Sequence, residues 1–232
     1  MSKFDNQKDD TSAIDRRETM GILNNTIKLL GKKIGMTQVF GEDGKIIAVT
    51  VIEAGPCVVM GVNEKNVKVG YQPLKENKIK KPQLGEFRKL NLSPMRYIRE
   101  FRIAEKNNFK TGDVMQVDVF KEGDFVDVSG ISIGKGFAGG MKRWGWYGTP
   151  MTHGTTSKRR IGSVAASSDP SRIFKGKTMA GHMGARKATL QNLKVIKVDL
   201  ANNIIVVRGA VPGHKNALIE IRKSIKKQTK AE

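Results

Sequence analysis

Between Gly134 and Lys187 the chain carries eleven Gly, eleven Lys or Arg and a single acid, Asp169. No helical or strand periodicity runs through these 54 residues. Ordering a residue costs about 1–2 kcal/mol, and fully burying a large apolar side chain returns about 1.5–3 kcal/mol. The segment has only twelve such side chains: Phe137, Met141, Trp144, Trp146, Tyr147, Met151, Ile161, Val164, Ile173, Phe174, Met179 and Met183. It therefore cannot fold around a core of its own. An irregular stretch of this length inside a domain points to function or to disorder.

The aromatic residues favour function. A solvated linker has no use for Phe137, Trp144, Trp146 and Tyr147 within eleven residues. Aromatics interleaved with Lys142-Arg143 and Lys158-Arg-Arg160 suit stacking on bases and pairing with phosphates. Glycines let backbone approach a crowded polyanion without side-chain clash. The segment is expected to become ordered inside folded RNA. The residues expected to contact it are Lys135, Lys142, Arg143, Trp144, His153, Lys158, Arg159, Arg160, Arg172, Lys175, Lys177, Arg186 and Lys187. Trp144 is expected to stack or wedge rather than enter a protein core.

Charge over the whole chain agrees. Its 232 residues hold 42 Lys plus Arg against 22 Asp plus Glu, a formal net charge of +20. Self-repulsion of that size is relieved by a polyanion. A membrane surface is the weaker partner, because the basic residues are dispersed rather than set opposite an apolar face. Nothing approaches the 18 apolar residues of a spanning helix. The lone cysteine, Cys57, excludes an internal disulfide and a Cys-based zinc site, and reads as a small buried hydrophobe.

Elsewhere the pattern is β. Residues 46–52 are β-branched and follow a turn signal at Glu42-Asp-Gly44. Residues 114–120 and 125–128 flank Lys121-Glu-Gly-Asp124 and predict a hairpin. Residues 193–198 and 204–207 flank Ala201-Asn-Asn203 and predict another. Paired strands of this kind predict a mainly β fold: a small closed antiparallel barrel with an inserted α+β subdomain and a long irregular basic loop. The predicted division is a disordered extension over 1–26, a barrel from 27–60, 100–133 and 188–225, a subdomain over 61–99, the loop over 134–187 and a basic tail over 226–232. The tail, with Arg222-Lys-Ser-Ile-Lys-Lys227 before it, reads equally as solvated charge or as phosphate contact.

Two motifs mimic nucleotide sites. Gly134-Lys-Gly-Phe-Ala-Gly139 fits G-x-G-x-x-G but has no acid about 20 residues on, as a dinucleotide site requires. Gly176-Lys-Thr178 ends like a phosphate loop, yet Ser171 stands where its leading glycine belongs. His153, His182 and His214 have no recurring acid or cysteine partner, and His214 reads as a turn residue. No enzyme activity, cofactor, metal or small-molecule substrate is expected.

A family likeness then emerges. Leu30-Gly-Lys-Lys-Ile-Gly-Met-Thr37, Glu100-Phe-Arg102, Gly134-Lys-Gly-Phe-Ala-Gly139, Lys142-Arg-Trp144 and Thr152-His-Gly154 resemble, in order, the bacterial type of the large-subunit ribosomal protein L-three family. So do Phe174-Lys-Gly-Lys-Thr-Met-Ala-Gly-His-Met-Gly184 and Gly209-Ala-Val-Pro-Gly213. The resemblance implies a translation-protein-type barrel bound near the 3′ end of the large-subunit ribosomal RNA, an early role in subunit assembly, and a loop reaching toward the peptidyl-transferase centre. It implies L-fourteen and L-nineteen as neighbours, and a cytoplasmic, bacterial ribosome as the setting. Two departures stand out. Ile161-Gly-Ser-Val-Ala-Ala-Ser-Ser168 stands in place of the Pro-Gly-Ser-Ile-Gly followed by Gln-Asn-Gln that the family's bacterial loop often has, so Ser168 stands where some members carry a methylated glutamine and that modification is not expected. The first 20 residues, with five acids and four bases, extend beyond the family's usual start.

Overall fold

The computed structural model describes residues 28–41, 43–63, 65–102 and 109–227. The extension expected over 1–26, Glu42 of the first turn signal and residues 228–232 of the tail lie outside them. The chain divides into two compact units. One comprises the strands up to Ile131 and those from Ala188 onward; the other is Ser132–Lys187.

The first unit is built of β-strands. β1 (Lys28–Phe40) and β2 (Ile46–Ala54) form a long hairpin whose register shifts between Lys33 and Gly35. The turn closes with the Gly44 N–H on the Gly41 carbonyl at 2.9 Å, and Gly44 holds a φ of 70° that a side chain would strain. β3 (Cys57–Val62), β4 (Asn66–Pro73) and β5 (Met95–Arg102) follow, then the two-residue β6 (Val114–Met115) and β7 (Phe125–Ile131). After the second unit, which holds β8 (Phe137–Ala138) and β9 (Gly181–His182), come β10 (Lys187–Asp199), β11 (Ile204–Arg208) and β12 (Leu218–Lys223).

Six strands form one sheet in the order β1-β12-β7-β10-β11-β2, and β2 pairs back onto β1 to close a barrel. The second sheet runs β5-β4-β3-β6. Alternating Val and Ile turn inward from both, so Leu30, Ile52, Val128, Ile205 and Ile221 share one buried cluster with Val59, Val69 and Phe101. Cys57 lies fully buried in that cluster. Its thiol donates to the Leu30 carbonyl at 3.4 Å, and burial pushes its pKa up to about 12.

A smaller cluster of Met60, Phe87 and Met95 anchors α1 (Lys81–Lys89). Pro82 sits in its first turn, where a missing N–H is harmless. Only Phe87 of this helix is buried, so one aromatic anchor fixes it while its polar residues face solvent.

One predicted hairpin does not form. Of residues 114–120, only Val114–Met115 is a strand, and it pairs with Cys57 and Val58 of β3 rather than with β7. Val117–Val119 is a 3-10 turn. Such a turn puts residues three apart on one side, and Val117 and Phe120 are both buried while Asp118 is exposed. The predicted Lys121–Asp124 turn is present, with the Lys121 N–H on Asp124 Oδ2 at 3.0 Å. It leads into β7, which pairs along its length with β12.

Candidate nucleic-acid interface

Ser132–Lys187 leaves and returns through a two-stranded neck. The Ser132 N–H bonds the Arg186 carbonyl at 2.9 Å, the Lys135 N–H bonds the Met183 carbonyl at 2.9 Å, and Phe137 pairs with His182. Gly184 makes this closeness possible. It holds a φ of 76°, and a Cβ there would stand 2.1 Å from the Ile133 carbonyl oxygen. The G-x-G-x-x-G motif is therefore one side of the neck.

Beyond the neck a five-residue helix, α2 (Gly140–Trp144), opens where no helix was anticipated. Gly145 ends it in the left-handed conformation, φ 69°, with its N–H on the Met141 carbonyl at 3.0 Å. Arg143 and Trp144 converge on one acceptor: Arg143 Nη1 lies 2.7 Å and Trp144 Nε1 2.8 Å from the Met179 carbonyl. The guanidinium also sits 4.9 Å from the Trp144 ring centroid. Trp144 remains 47% exposed.

The unit has no hydrophobic interior. None of its thirteen large apolar side chains, Ile133 included, is buried; Ala138 and Gly140 are its buried residues. Tyr147 is 99% exposed and Phe137 80%. What holds the unit is close backbone approach. A Cβ on Gly140 would lie 1.8 Å from the Trp146 ring, and one on Gly148 would lie 2.2 Å from the Lys158 carbonyl oxygen.

The thirteen predicted contact residues spread over this surface. Lys135, Arg186 and Lys187 flank the neck, and Lys142 is exposed on α2. His153 occupies an exposed turn with φ 59°. Lys158, Arg159, Arg160, Arg172, Lys175 and Lys177 are all exposed, and none forms an ion pair among the described residues. Arg160 and Lys177 meet at one recess, together with Trp146 and Tyr147. Neither aromatic was among the predicted contacts, although the Trp144-Gly-Trp-Tyr147 cluster signalled them. Among the described residues no three His, Cys, Asp or Glu side chains converge as metal ligands would.

The family model described as ribosomal protein L3 matches residues 75–202. The large ribosomal subunit protein uL3 of Brachyspira hyodysenteriae is 46% identical over 210 residues, covering 88% of this chain and 97% of the relative. The chain belongs to the ribosomal protein L3 family. The uL3 proteins of Brachyspira pilosicoli and Carboxydothermus hydrogenoformans are similar at 47% and 46% identity, over 88% and 85% of this chain and 96% and 97% of theirs. This is a family of ribosomal proteins and not of enzymes. The family match runs through the whole of Ser132–Lys187.

Proposed function

We propose that this L3-family chain is a structural constituent of the large ribosomal subunit, bound to ribosomal RNA near its 3′ end in the bacterial cytoplasm. The strand-built unit, a translation-protein-type barrel with its inserted subdomain over 61–99, docks on the RNA surface. Residues 134–187 thread into the folded RNA toward the peptidyl-transferase centre, and docking early nucleates subunit assembly. L-fourteen and L-nineteen are the expected protein neighbours.

One observation carries the reading: a 54-residue excursion with eleven cations and one acid in which no large apolar side chain is buried. A surface of that kind neutralises phosphates, and RNA supplies the packing that the protein lacks. The thirteen cationic and aromatic residues between Lys135 and Lys187 make those contacts.

Sedimenting a lysate through a sucrose gradient after a high-salt wash tests this. The chain should travel with the large subunit at about one copy per particle, as a permanent component does. Recovery at the top of the gradient beside intact particles would make it a transient RNA binder instead.

A further inference from the structure

The Ser132–Lys187 unit contains a recess of about 540 Å3, within the roughly 300–1,000 Å3 of small-ligand sites. Met141, Trp146 and Tyr147 line it together with Arg160, Ile161 and Lys177. No acidic side chain and no histidine lines it. Two aromatic residues and two cations, with no acid among the lining residues, suit a planar ring that carries negative charge.

Two glycines build the recess. Trp146 packs directly on Gly140, where even a Cβ would overlap the ring, so the indole is held in one orientation. Gly148 lets the backbone at Lys158 approach closely, and a Cβ at Gly148 would also stand 2.9 Å from Met141 Cε. That approach brings the segment leading to Arg160 against the Met141 side of the recess. Tyr147 borders the recess yet is almost fully exposed, so packing among the described residues does not explain it.

We propose that this recess receives a single unstacked RNA nucleotide, with its base against Trp146 and Tyr147 and its phosphate neutralised by Arg160 and Lys177. The inference rests on the ribosomal-RNA reading above and narrows it to one site. Stacking tolerates any base, since every base has a π-face. Extruding a paired base costs a few kcal/mol, and least where the base is already single-stranded. The nucleotide therefore comes from a loop or bulge rather than from duplex.

The test titrates the full chain with a 3′-domain fragment of the large-subunit ribosomal RNA. Tyr147→Ala removes an exposed ring without disturbing the fold, and should weaken binding about 5- to 150-fold, the range of base–aromatic stacking. Its salt slope should stay unchanged. Trp146→Phe should bind nearly as the parent does, because it keeps a stacking face. In assembled large subunits, ultraviolet cross-linking should attach one nucleotide to the peptide holding Trp146 and Tyr147. If Tyr147→Ala and Trp146→Ala both bind within about twofold of the parent, and no cross-link maps there, the recess is not a base site. The cations could then still give their salt slope, leaving the wider reading intact. A chain that neither binds the fragment nor enters the subunit would remove both.

Discussion

Asp127 on β7 and Arg222 on β12 are direct cross-strand partners, with Arg222 Nη2 3.1 Å from Asp127 Oδ2. The carboxylate side chain is 1% exposed, and its second oxygen accepts the Asn192 N–H at 3.0 Å. Asn192 is in turn held by the Ser224 hydroxyl at 2.6 Å. A strand from the middle of the chain and one near its end are thus joined through a buried charge. Truncating one partner of such a pair strands the other without compensation, at a cost of roughly 3–5 kcal/mol. Arg222→Met should lie near the low end, about 3 kcal/mol in urea unfolding, because its side chain is still 23% exposed. A change below about 0.5 kcal/mol would mean that solvent already screens the pair.

The buried thiol makes a pH prediction. Cys57 has its pKa raised from 9.0 to about 12 by desolvation, with the Leu30 carbonyl hydrogen bond opposing in part. Below pH 9 the thiol is protonated in folded and unfolded chains alike, so it adds no pH dependence there. Between about 9 and 12 the unfolded chain releases the proton first, and stability falls as pH rises, by up to about 1.4 kcal/mol per unit. Cys57→Ala should start lower because of the cavity, and should show a shallower decline across that window in chemical unfolding at stepped pH. Parallel declines in the two proteins would show that the thiol is not the group responsible.

Removing residues 140–170 should leave the strand-built unit folded. The neck bonds of Ser132 with Arg186 and Lys135 with Met183 lie outside the deletion, and the shared core includes no residue from within it. Loop-closure entropy changes slowly with length, so the effect on stability should stay under about 1 kcal/mol. Differential scanning calorimetry of the free deleted protein measures this directly. A transition lowered by more than about 5 °C would contradict it.

Replacing Lys158, Arg159 and Arg160 together by Gln should act on salt dependence more than on fold. All three are exposed without ion pairs among the described residues. Every phosphate left without its cation should reduce the slope of log affinity against log salt by about 0.7–0.9. Filter binding to the ribosomal RNA fragment at several salt concentrations should therefore give a slope shallower by roughly 2–3. An unchanged slope would place these cations away from phosphate.

Sequence alone determined the β character and the cationic excursion, because both are local quantities. Runs of β-branched residues in 46–52 and 204–207 mark strands whatever the partner strand. Twelve large apolar side chains in 54 residues cannot make a core in any arrangement, and in the structure none of them is buried. Tertiary structure decided what depends on distant residues. Periodicity does not say which strand lies beside which, so β12 between β1 and β7 had no local signature. Val117–Val119 read as strand because alternation and a 3-10 turn agree over three residues; the burial of Phe120 separates them. The recess likewise needed Gly148 set against Lys158 and Trp146 against Gly140. Composition supplies such rings and glycines, but only the folded backbone chooses which of them meet.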